Sequence, residues 1–147
     1  MLNKYLHQFS DLHRNKFKGE IAPHKPIMLL CVIDLIEAGF IISNKIELSE
    51  MLEERFKSNW KRYVKTDSVY KPAVGTPFWH LVPFEGGNEQ IMALQKSNPY
   101  SLNLMRKHIK YAVIDKDLFD LLQDEPHRRL LSEVLIKSIE SNNKAVF

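Results

Sequence analysis

Residues 22–39 read APHKPIMLLCVIDLIEAG, and this stretch decides the fold. Ile27 to Ile33 are seven consecutive apolar residues, Asp34 interrupts the run, and Leu35 and Ile36 resume it. A helix that is apolar all round belongs at the centre of a fold. Pro26 suits the first helical position, where a missing N–H costs nothing, and Gly39 suits the C′ position. The helix is therefore expected from Pro26 to Ala38. His24 and Lys25 stand just before it, although a cation at a helix N-terminus opposes the macrodipole. Two readings stay open there. The pair is either solvated at the chain entry, which local chemistry slightly favours, or it shares an anion such as phosphate with the free backbone N–H groups.

Outward from this helix, the 147 residues suit one domain with a real core. A hydrophobic content of 44% and a charged content of 27% are ordinary for a globular protein. Cys31 is the sole cysteine, which excludes a disulfide framework and cysteine-cluster zinc sites. Met1 to Leu12 is polar and amphipathic and does not read as a secretory signal, and no apolar run is long enough to span a membrane. The expected location is cytoplasmic, without membrane contact.

Net charge is only +3, but the charge is segregated. Arg55, Lys57, Lys61, Arg62, Lys65 and Lys71 face Asp67 alone, a local +5. Arg14, Lys16, Lys18 and Lys25 form a second basic stretch, and Arg106, Lys107 and Lys110 a third. The acids gather in 47–54 and 115–125. Each basic run by itself reads as a solvated face. Three on one surface would suit a polyanion.

The periodicity predicts a first helix over Asn3–His13, then a basic loop to Pro23. After the central helix, Phe40–Leu48 is expected to be extended, with a turn at 43–45. Ser49 is the N-cap of a third helix with an apolar stripe at Leu52, Phe56, Trp60 and Tyr63 or Val64. A strand is expected at Pro77–Val82, a turn at 85–88 and a returning strand at Glu89–Leu94, a hairpin able to act as a wing. Leu102–Ala112 is expected to be helical. Asp115 caps a short helix through Leu122. Pro126 starts a last helix that buries Leu130, Leu131, Val134, Leu135 and Ile139, and 141–147 reads as a tail or linker. The fold class is α+β: a mainly helical single domain with a short β-hairpin, winged-helix-like.

No catalytic motif stands out. His-Asn-His, phosphate-loop and dinucleotide patterns are absent, and the six histidines have no metal-ligand spacing. No metal, cofactor or catalytic residue is assigned. Three elements remain for binding: His24 and Lys25 at the helix entrance, Thr76 to His80 at the strand start, and the basic group at Arg106. Core packing is the plainer reading for at least one of Phe78 and Trp79.

The combination of APHKPIMLLCVIDLIEAG, KIELSEMLEERFKSNW, TPFWHL and SLNLMRKHIKYAVIDKDLFDLLQDEPHRRLL resembles the DNA sulfur-binding domain of phosphorothioate-dependent restriction endonucleases, over about Ala22–Leu131. The resemblance implies binding of duplex DNA in which sulfur replaces one non-bridging phosphate oxygen. It implies a sulfur pocket at Thr76, Pro77 and His80, with His24, Lys25 and Arg106 on the flanking DNA. Lys107, Arg14 and Lys18 join these as DNA-binding candidates from the basic runs. It also implies a nuclease in a fused domain or partner rather than catalysis in this chain. Thr76 and His80 are more polar than the residues often found at those positions, which favours one rival, a generic duplex-DNA-binding module. A small nuclease with an unrecognised site and a protein–protein adaptor are the others.

Overall fold

The computed structural model describes residues 1–12, 16–17, 20–74, 77–78, 84–86, 105–107 and 109–144. In chain order the elements are α1 (Leu2–Ser10), β1 (Lys16–Phe17), β2 (Glu20–Ile21), α2 (His24–Glu37), β3 (Lys45–Ile46), α3 (Glu50–Tyr63), β4 (Phe84–Gly86), β5 (Ile109–Val113), α4 (Lys116–Leu121) and α5 (Glu125–Lys144). The protein is a mainly helical α+β domain. β1 and β2 pair as a short antiparallel ribbon, and a second antiparallel sheet runs in the order β3-β5-β4.

α2 is the central helix that its sequence predicts. Nine of its fourteen residues are buried, including Ile27, Met28, Cys31 and Ile33. α3 lies along one side, α5 along another, and α1 packs on α5. One hydrophobic core joins Tyr5 and Phe9 of α1, the apolar face of α2, Leu52 and Phe56 of α3, Ile109 and Ala112 of β5, and Leu131, Leu135 and Ile139 of α5. Among the described residues, no helix is long and apolar enough to cross a membrane.

The helix starts two residues earlier than expected, so Pro26 is its third residue and His24 and Lys25 lie within its first turn. The shift costs no hydrogen bond. The first intrahelical N–H is that of Ile27, which donates to Pro23 at 3.1 Å, so Pro26 still falls among the orphan N–H positions. Gly39 ends the helix at φ +82°, the left-handed conformation that favours glycine.

Asp34 does not break the core, because α3 meets it. Its Oδ2 accepts from Arg55 Nε and Asn59 Nδ2, each at 2.9 Å. Asn59, itself buried, also donates to Cys31 Sγ at 3.3 Å. Burial pushes the Cys31 thiol up to about 12, which makes it a core residue and a poor nucleophile. The contacts His24–Trp60, Cys31–Asn59 and Asp34–Arg55 run in opposite order along the two helices, so α2 and α3 are antiparallel. Ser49 caps α3 by accepting from Leu52 N–H at 3.1 Å.

Several expectations need correction. Pro77 and Phe78 carry helical backbone, not strand. Phe78 N–H donates to Val74 at 3.1 Å, and proline fits an opening turn because its position needs no donor. Phe78 is fully buried, as core packing requires. The rest of the expected strand and its partner at 89–94 lie outside the described residues, and Glu85 and Gly86, expected in the turn, belong to β4 instead. The described residues thus supply no wing.

The expected helix at 102–112 is a helical turn at 105–107 followed by β5, where Ile109, Tyr111 and Val113 favour a strand. A register shift between Glu85 and Gly86 breaks the strand alternation that the sequence would otherwise advertise. Asp115 precedes α4 without a side-chain cap; its carboxylate accepts from Tyr5 OH at 3.2 Å and ties α1 to α4. Leu130 is 43% exposed, outside the buried stripe of α5. The helix also continues through 141–144, where a tail was expected.

Candidate functional site

Two of the residues singled out from sequence meet in one concavity. Lys25 and Pro77 line a hollow of about 250 Å³ together with Gln8, Phe9 and Leu12 of α1 and Met28 and Leu29 of α2. The wheel of α2 explains the grouping, since positions 25, 28 and 29 share a side at helical spacing. α1 is held in place by Tyr5 and Phe9 in the core and by the Tyr5–Asp115 bond, so its wall of the hollow is fixed. The lining is apolar apart from the Lys25 ammonium and the Gln8 amide. Sequence reading passed over Gln8, Phe9 and Leu12, because helical periodicity accounts for them as a surface residue and two packing residues. Only the docking of α1 beside Lys25 reveals their second role.

His24 stands at the same end of α2 but faces α3. Its ring packs against Trp60 at 4.7 Å between centroids and meets Tyr70 edge-on at 5.7 Å. Its Nε2 lies 2.7 Å from the Lys71 carbonyl oxygen. A carbonyl can only accept, so Nε2 carries the proton. Burial pushes the His24 pKa below the ordinary histidine value, and the bond to Lys71 only partly offsets this.

A second clamp holds the same loop. Glu20 is buried; its Oε2 accepts from Val69 N–H at 2.7 Å, and its Oε1 lies 3.2 Å from Lys65 Nζ. Burial alone would raise its pKa, but the Val69 N–H and the Lys65 ammonium outweigh it and hold the carboxyl below its usual range. The segment from Lys65 to Lys71 is thus tied down at both ends.

Arg106 lies elsewhere. Its guanidinium pairs with Glu53 in the first turn of α3, and its Nε donates to the Leu48 carbonyl at 3.4 Å. The hydrogen bond from Arg106 is the chief reason that the Glu53 carboxyl stays below its ordinary pKa. Because α2 and α3 are antiparallel, Glu53 is at the end of the pair remote from His24. Seven residues separate it from Trp60, about 10 Å along the axis. Arg106 instead lines a cleft of about 630 Å³ with Lys45, Glu47, Leu48, Ile109 and Tyr111, where Lys45 Nζ sits 4.9 Å from the Tyr111 ring centroid. Lys107, beside it, is exposed. The structure therefore joins Lys25 to Pro77, sets His24 close by, and keeps Arg106 and Lys107 apart from them. Arg14, Lys18, Thr76 and His80 lie outside the described residues.

The +5 cluster divides in the same way. Arg55 pairs with Asp34, Lys57 with Glu53 and Lys65 with Glu20. Counting charges within 55–71 could not show this, because the three acids come from positions 20, 34 and 53. Among the described residues Lys61, Arg62 and Lys71 make no ion pair, and all are exposed. Arg62 lies over the Tyr63 ring, its Cζ 5.2 Å from the centroid.

The chain matches no protein-family model, and no curated protein matches it in sequence.

Proposed function

We propose that this chain is a cytoplasmic reader of phosphorothioate-modified duplex DNA, the recognition module of a modification-dependent restriction system. The observation that carries the reading is the shared concavity of Lys25 and Pro77, apolar over most of its lining and cationic at Lys25. Sulfur is larger and more polarizable than oxygen and a weaker hydrogen-bond acceptor. Apolar walls can hold it at little loss, whereas a phosphate oxygen would give up hydration there, at a cost of about 1–3 kcal/mol or more. The ammonium beside the walls balances the charge of the same phosphate. The motif resemblance to DNA sulfur-binding domains, which places Pro77 in the sulfur pocket and Lys25 on the DNA, supports the same assignment.

In this reading the partly exposed Leu12 and Leu29 extend the apolar surface over the buried Phe9 and Met28, and cleavage belongs to a fused or partner nuclease. A gel shift with two matched duplexes, one carrying a single phosphorothioate, tests it. Retardation of the modified duplex at lower protein concentration is the expected result.

A further inference from the structure

We infer that Lys61, Arg62 and Lys71 form, with Lys25, a cationic rim that grips the DNA backbone beside the Lys25–Pro77 concavity. The inference rests on the DNA-binding reading and assigns to it residues at the C-terminal end of α3 and in the loop beyond.

Folding leaves these charges available. Arg55, Lys57 and Lys65 are each matched by a carboxylate, whereas Lys61, Arg62 and Lys71 make no ion pair among the described residues. Asp67 is the one acid of the same stretch. Placement at the end of α3 complements the helix dipole for Lys61 and Arg62, but at exposed positions that is worth only a few tenths of a kcal/mol to about 1 kcal/mol. It gives no reason for Lys71.

Two contacts gather the group. His24, in the first turn of α2 beside Lys25, stacks on Trp60, the neighbour of Lys61, and holds the Lys71 carbonyl at 2.7 Å. The Glu20 clamp on Val69 fixes the same loop from the other side. The three cations and Lys25 thus collect at one end of the α2–α3 pair, while Arg106 and Lys57 sit near Glu53 at the other. Lys61, Arg62 and Lys71, which make no ion pair among the described residues, stand on a fixed frame, and such cations suit a regularly spaced polyanion, whose condensed counterions each contact releases.

The test is fluorescence anisotropy of the full chain with an unmodified duplex over a salt series. Lys61→Gln, Arg62→Gln and Lys71→Gln are measured singly and together, with Lys57→Gln as the paired control. Each rim variant should lower the salt slope by about 0.9, the combination by about two to three, and Lys57→Gln should leave it unchanged. A combined variant with the wild-type slope overturns the rim, as does a Lys57→Gln effect of equal size. If the variants show these slope changes while the wild-type chain binds modified and unmodified duplexes equally, the rim stands and the sulfur reading ends. A chain without salt-dependent duplex binding would end both.

Discussion

His24 holds the carbonyl oxygen of Lys71 at 2.7 Å across 47 residues of sequence, and the same ring packs on Trp60. One neutral imidazole thus ties the entrance of the central helix to the end of α3 and to the loop beyond. Local chemistry slightly favours a solvated His24 and the family resemblance implies a DNA contact there; its geometry makes it first a brace for the elements that carry Lys25, Lys61 and Lys71.

That brace should be visible in the pH dependence of stability. The folded ring resists protonation, so the unfolded chain binds the proton first. Stability is level above the ordinary histidine pKa of 6.5 and falls as pH drops below it, until the folded ring protonates too. The slope in that window is at most about 1.4 kcal/mol per pH unit. The depressed Glu20 carboxyl contributes stability that is present above 4.5 and is lost as pH falls through its lowered value. Thermal melts from pH 2 to 8 should show both losses, and His24→Gln should remove the upper one.

The Asp34 network gives a second expectation. Asn59 is buried and donates to both Asp34 and Cys31. Asn59→Ala should destabilise the fold by about 1–3 kcal/mol, because Asp34 loses a donor in a partly buried site. Urea unfolding measures it, and an unchanged midpoint would make the network incidental.

The helix entrance and the Arg106 cleft should separate in DNA binding. Lys25→Ala should lower the salt slope by about one unit. Arg106→Ala should lower it by less, since Glu53 already balances that charge. Equal losses would put Arg106 on the DNA as fully as Lys25.

Pro77→Ala should reduce the preference for sulfur more than it reduces affinity for the unmodified duplex. The ring offers apolar contact to one atom, while phosphate contacts position the protein without reading it. Proportional loss of both would make Pro77 purely structural, with circular dichroism to verify folding.

The parts of this structure legible in the sequence are those with strong local signals. Seven apolar residues in a row announced α2, Ser49 announced the start of α3, and Gly39 announced a left-handed helix end. The misread parts depend on partners far along the chain. Ile109–Val113 is a strand because β3 and β4 flank it, and a register shift hides its alternation. Pro77 and Phe78 satisfy a helical turn as readily as a strand start, and only the Val74 carbonyl distinguishes the two. At the site, Lys25 and Pro77 were each legible, but their meeting was not. The division of the +5 cluster was invisible for the same reason, since Glu20, Asp34 and Glu53 reach it through tertiary structure.

The central claim is recognition of sulfur at a DNA phosphate, and the most direct measurement is a ratio of two dissociation constants. The full chain is titrated at one fixed salt concentration into matched duplexes that differ by a single phosphorothioate. The account predicts binding of the modified duplex that is tighter by at least about tenfold, or about 1.4 kcal/mol. Equal dissociation constants would contradict it.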